Sequence, residues 1–145
     1  MIKTIAIATI MIITISCKNS KQNKQKAMKQ ILPVTLTNDF TTYSRNNAGT
    51  QIINATIIDS TLTLKVSYNG GCEVHSFEMI GSKMIQKSFP PIRGIKLIHN
   101  ANNDQCRELI EQDLRFNISD FGYKGGSIML NLEGWKQKLK FETLK

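Results

Sequence analysis

The sequence predicts an all-β domain, an antiparallel β-sandwich of Ig-like type, with a small β-barrel as the alternative closure. Three observations predict it. Apolar residues fall on every second position in several runs, turn residues break those runs at regular spacing, and no long amphipathic helix is visible. The pattern occupies residues 31–145, a length suited to one domain; residues 1–16 and 17–30 read differently.

The elements follow in chain order. Asp59-Ser60 separates a strand over residues 52–58 from one over 61–68. In the second, Leu62, Leu64 and Val66 alternate with Thr61, Thr63 and Lys65, so one face is buried and the other wet. Gly81-Ser82 is the expected turn between strands at 74–80 and 83–89. Pro90-Pro91 forbids a central strand through that point, and is expected to carry the chain to the second sheet. Ile95, Leu97 and His99 then share a strand face. Residues 100–104 and 122–126 read as polar loops. Between them, residues 104–113 fit either a single helical turn or a strand start, because Cys106, Leu109 and Ile110 sit at helical spacing. Alternation resumes from Ile128 to Leu132. After Gly134, Trp135, Gln137, Leu139 and Phe141 point one way and Lys136, Lys138 and Lys140 the other. The count is about seven or eight strands, with Trp135 in core or sheet-end packing.

The first residues form an export leader: Lys3 is the positive head, and an apolar run extends from Ile5 to Ile15. The run is short for a membrane span, which needs about 20 apolar residues. Ser16 and Cys17 follow, where the apolar run stops. The segment Thr14-Ile15-Ser16-Cys17 resembles the lipobox of bacterial lipoprotein signal peptides, with Thr14 standing where Leu is commonest. The resemblance implies a diacylglycerol on the Cys17 sulfur, cleavage before Cys17, and acylation of the new amino terminus. An unlipidated secretory leader and a short uncleaved anchor are the alternatives. Lys18, where an Asp would mark inner-membrane retention, favours an outer-membrane address.

With Cys17 assigned to lipid, two of the three cysteines remain, Cys72 and Cys106. An oxidising envelope makes a disulfide between them the expected state. Residues 18–30, KNSKQNKQKAMKQ, contain no aromatic, β-branched or acidic residue and read as a flexible tether. Its lysines sit where they could graze anionic headgroups. They also account for most of the formal net charge of +8. Lys3 and the five tether lysines are six of nineteen basic residues, leaving thirteen in the domain against all eleven acids, about +2. Neither that balance nor any basic face with interleaved aromatics points to nucleic acid.

Chemistry concentrates in two segments. Gly70-Gly71-Cys72-Glu73-Val74-His75-Ser76-Phe77 and His99-Asn100-Ala101-Asn102-Asn103-Asp104-Gln105-Cys106 each hold one Cys and one of the two histidines. If His75 and His99 both face inward, all four side chains meet at one end of the sandwich. One reading is a structural staple, the disulfide closing a loop of 34 residues with the histidines hydrogen-bonded beside it. A second is a zinc or copper site of Cys72, His75, His99 and Cys106, although C-x2-H followed by H-x6-C is not a common zinc-module order. A third makes Cys72 a nucleophile with His75 as base, without a visible orienting residue. The loop at 100–104 has a single carboxylate, too few for calcium. No G-x-S-x-G, P-loop or G-x-G-x-x-G is present.

The pattern of Gly70, Gly71, Cys72, His75 and Phe77 with His99, Asp104 and Cys106 is similar to small uncharacterised bacterial lipoproteins of the cell envelope. That resemblance implies the architecture and no mechanism. The expectation is a lipid-anchored, non-enzymatic binding or structural module, whose partner is a protein, a glycan or a small ligand. A metal-handling protein and a thiol enzyme are the alternatives.

Overall fold

A computed structural model describes residues 30–43, 49–124 and 126–143. The leader, Cys17 and the tether up to Lys29 lie outside the described residues. Among those described, no helix is long and apolar enough to cross a membrane.

Among the described residues, nine strands run in the order β1 (Ile31–Leu32), β2 (Val34–Thr37), β3 (Gln51–Ile58), β4 (Thr61–Gly70), β5 (Ser76–Gln86), β6 (Ile92–Asn100), β7 (Glu108–Asn117), β8 (Ser127–Leu132) and β9 (Leu139–Glu142), with a 3₁₀ turn at Ser119–Phe121. They form two sheets, β1-β7-β4-β3 and β2-β5-β6-β8-β9, neither closed into a barrel. One apolar core fills the space between, with Leu62, Leu64, Val66, Leu114 and Phe116 from the first sheet. Phe77, Met79, Ile95, Leu97, Ile128, Leu130 and Phe141 come from the second. The all-β sandwich class expected from alternation is what is observed.

The pairing is mixed, and not the antiparallel arrangement expected. β1 with β7, β2 with β5, and β6 with β8 run parallel. Two physical causes account for this. The first segment is one extended piece that changes sheets at Pro33, whose missing N–H breaks the ladder; its carbonyl accepts from the Met79 N–H at 3.1 Å. Later the chain leaves the second sheet after β6, runs through the first as β7, and returns as β8. Two crossings restore the original direction, so β8 lies parallel to β6.

Two turn expectations fail. Gly81-Ser82 is not a hairpin but a bulge inside β5, where the pairing with β6 slips between Gly81 and Ile85. Pro90-Pro91 does not carry the chain to the other sheet, since β5 and β6 are antiparallel neighbours around it. The open reading of residues 104–113 resolves as a strand beginning at Glu108. Trp135 lies in the turn before β9 and packs against the core from there.

Two buried cations tie loops to the second sheet. Arg93 donates to the carbonyls of Phe121 (2.9 Å), Ser82 and Gly122 (3.4 Å), holding the 3₁₀ turn against the sheet. Lys96 donates to the Tyr43 carbonyl at 2.8 Å and lies 4.4 Å from the centre of the Phe40 ring. Phe40 can lie flat on β6 because residue 94 is glycine: a Cβ there would come within 3.2 Å of the ring.

Candidate functional site: a hydrogen-bonded His–His–Asp relay beside a disulfide

At one end of the sandwich, four elements converge. His75 immediately precedes β5 and His99 is the last inward-facing residue of β6, so the two reach one another across adjacent strands. Asp104 lies in the β6–β7 loop, and Thr50 immediately precedes β3 in the opposite sheet. Cys72 and Cys106 are joined, with Cα atoms 5.8 Å apart, and link the β4–β5 loop to the β6–β7 loop.

The polar atoms form a single line. Thr50 Oγ1 contacts His99 Nδ1, His99 Nε2 lies 2.7 Å from His75 Nδ1, and His75 Nε2 lies 3.1 Å from Asp104 Oδ2. Donor direction follows from the Asp104 end. Asp104 Oδ2 also accepts from the backbone N–H of Cys72 and Glu73, each at 3.0 Å, while Oδ1 accepts from Cys106 N–H at 2.7 Å. Those backbone bonds, from Glu73 first and Cys106 next, hold its carboxyl well below the usual carboxylate range. An ionised carboxylate only accepts, so His75 Nε2 carries the hydrogen. With His75 neutral, it accepts at Nδ1 from His99 Nε2–H, His99 accepts at Nδ1 from the Thr50 hydroxyl, and every donor points toward Asp104.

Burial keeps His99 uncharged. His99 is 0% exposed, and its pKa is lowered to about 4, first by burial and then by the neighbouring His75. Its ring stacks on Phe77 with centroids 4.4 Å apart and meets the edge of Tyr68 at 4.9 Å. Tyr68 also packs on His75 at 4.8 Å, and its hydroxyl donates to Gln112 Oε1 at 2.8 Å. Gly70 forms the wall on the other side. A Cβ at residue 70 would lie 2.6 Å from His75 Cε1 and 3.2 Å from Asp104 Oδ2, so the relay requires glycine there.

The structure therefore brings Cys72, Cys106, His75 and His99 to one end, as the spacing implied, but in two compartments. The sulfurs bond to each other and the imidazoles to each other. Ligand atoms of Cys72, Asp104 and Cys106 do lie within 4.8 Å of one another. A four-ligand centre of two thiolates and two imidazoles would need the disulfide opened and the His75–His99 bond broken. The Cys72–His75 nucleophile pair meets the same obstacle, because both His75 nitrogens are engaged by His99 and Asp104. The loop once weighed for calcium turns its one carboxylate inward, and Asn102 Nδ2 donates to the Val74 carbonyl. One contributor, Thr50, had no signal in the sequence; Tyr68 continues the inward parity of Leu62, Leu64 and Val66.

No protein-family model matches the chain, and no curated protein does. Among solved structures, the chain is similar to a protein of unknown function (DUF1344) from Bacteroides vulgatus. The TM-score is 0.54 at 17% identity, over 79% of this chain and 57% of that one. It is similar also to a NigD-like immunity protein from Bacteroides caccae, with TM-score 0.54 at 14% identity, over 76% of this chain and 58% of that one. The chain thus spans less than two thirds of the length of these neighbours, and what they share with it is the fold.

Proposed function

We propose that this chain is a lipid-tethered protein of the outer membrane of the cell envelope, acting as a non-enzymatic binding module. The Cys17 pattern and the lysine-rich tether supply the address. The observation that carries the binding role is the self-contained relay: each of its nitrogens and carboxylate oxygens is already satisfied within the protein. Such a network stiffens the loops it joins. What these stiffened loops present outward is apolar: Val74 is 82% exposed, and Leu109 beside them is 68% exposed. Exposed apolar residues on a rigid, polar-rimmed platform suit recognition of a protein, a glycan or a small ligand.

An immunity-type role is one form this binding would take. It draws on the similarity in fold to the NigD-like immunity protein of Bacteroides caccae and on the envelope address. Two measurements test the proposal. Cys17→Ala should abolish incorporation of labelled fatty acid; persistent labelling would refute the anchor. A photo-crosslinking amino acid at Val74 should trap a discrete adduct in cells, whereas one at Lys138 should not. Equal patterns at both positions would refute the platform.

A further inference from the structure

The end of the sandwich opposite the relay carries a groove of about 1040 Å³ lined by Ile85, Lys87, Phe89, Pro90, Pro91 and Tyr123, among others. Phe89 has 104% of its reference area exposed, so nothing in the described fold covers it. Met84, close by in sequence, is 74% exposed and Tyr123 is 44% exposed. Lys83, Lys87 and Lys124 are exposed in the same segments. Acids toward this end are Asp39 just after β2, Asp120 in the 3₁₀ turn, Asp59 at the turn of the other sheet, and Glu142, which is paired with Lys140 at 2.7 Å. None of them lines the groove.

From this we infer that the Phe89 end is a membrane-docking surface, seating its aromatic and apolar side chains at the headgroup boundary of an anionic bilayer with Lys83, Lys87 and Lys124 at the rim. The inference rests on the tethered reading above for the nearness of a bilayer. Two observations select a bilayer over other occupants. Exposed cations around an apolar tip match the layered chemistry of an anionic lipid surface, where aromatic rings sit at headgroup level. The chain enters the domain heading toward this same end: β1 runs parallel to β7 beside Arg115 and Phe116, and β7 ends at Asn117. Residues 17–29 span at most roughly 45 Å when extended. A tether of that reach lets the domain rest its Phe89 end on the surface and turn the relay end outward.

The test uses the chain from Lys18 onward, which lacks Cys17 and contains every strand, so its result does not depend on lipidation. This chain should co-sediment with phosphatidylcholine vesicles containing phosphatidylglycerol, and much less with phosphatidylcholine alone. Phe89→Ser should weaken that partitioning at least about tenfold, with an unchanged circular dichroism spectrum. Phe89→Leu should keep most of it, and Lys87→Glu should weaken it too. A chain beginning at Gln30 should retain the Phe89 dependence, which separates the groove from the tether lysines. Binding unaffected by Phe89→Ser would overturn the inference. So would Phe89-dependent self-association in sedimentation velocity without vesicle binding, which would assign the groove to a second copy. Loss of fatty-acid labelling at Cys17 is a separate readout, so the anchor and the docking surface fail independently.

Discussion

The two ends of the sandwich solve opposite problems. At the relay end the fold buries a carboxylate, two imidazoles and a hydroxyl, and each finds a partner in a line from Thr50 to Asp104. At the other end Phe89, Met84 and Tyr123 stand in solvent, and the polar work is done underneath by Arg93. Polar groups taken from water must be paired, and so are recruited into a rigid network. Apolar groups left in water are under no such demand, and a contiguous cluster of them marks a surface with something to cover it. Stiffness and stickiness are separated by the length of the strands.

The largest expected effect lies at the relay end. Replacing Cys72 and Cys106 together by Ala opens a 34-residue loop and should lower stability by about 3–4 kcal/mol, read from urea unfolding. A loss much below that would mean that the Asp104 backbone bonds hold the two loops without the cross-link.

Acid should act almost as strongly, and again at this end. The folded pKa of His99, about 4, lies below the ordinary value of 6.5. Between those values the unfolded chain binds more protons than the folded one, so stability is whole above pH 6.5 and falls as the pH drops toward 4. The contribution at stake is on the order of 3 kcal/mol. His99→Phe should remove most of this slope. An unchanged slope in that variant would place the acid sensitivity elsewhere.

A smaller effect is expected beneath the groove. Arg93→Met leaves the carbonyls of Ser82, Phe121 and Gly122 without their buried donor, and should cost about 2–3 kcal/mol. A negligible cost would show that this end needs no polar anchor at all. The smallest effect belongs to the groove surface. Phe89→Ser should change the unfolding free energy by less than about 0.5 kcal/mol, because the ring touches so little of its own fold. A larger loss would mean that Phe89 serves the fold and would dissolve the contrast between the two ends.

Legibility in the sequence divides along similar lines. Leu62, Leu64 and Val66 announced their strand because a half-buried sheet imposes a period of two, and their burial at 0% follows from it. The inward facing of His75 and His99 was readable from the same parity, with Phe77 and Met79 on one side and Ile95 and Leu97 on the other. Gly81-Ser82 misled because a bulge and a turn use the same residue types, and only the partner strand distinguishes them. Pro90-Pro91 misled for a related reason: a proline pair stops a ladder but does not say which sheet receives the chain next. Thr50 carries no local signal, since its role depends on a histidine 49 residues away.

By itself, the sequence determined the period-two strands, the parity that puts His75 on a face with Phe77 and His99 on one with Ile95 and Leu97, and the near-neutral charge of the domain. These are local or countable properties, set by side-chain alternation and composition. The tertiary structure alone decided the parallel pairings, the split of the Cys/His cluster into a disulfide and a relay, and the gathering of Phe89 and Tyr123 at one tip. Each of these depends on which distant segments share a sheet or an end, and such pairings carry no periodic signature along the chain.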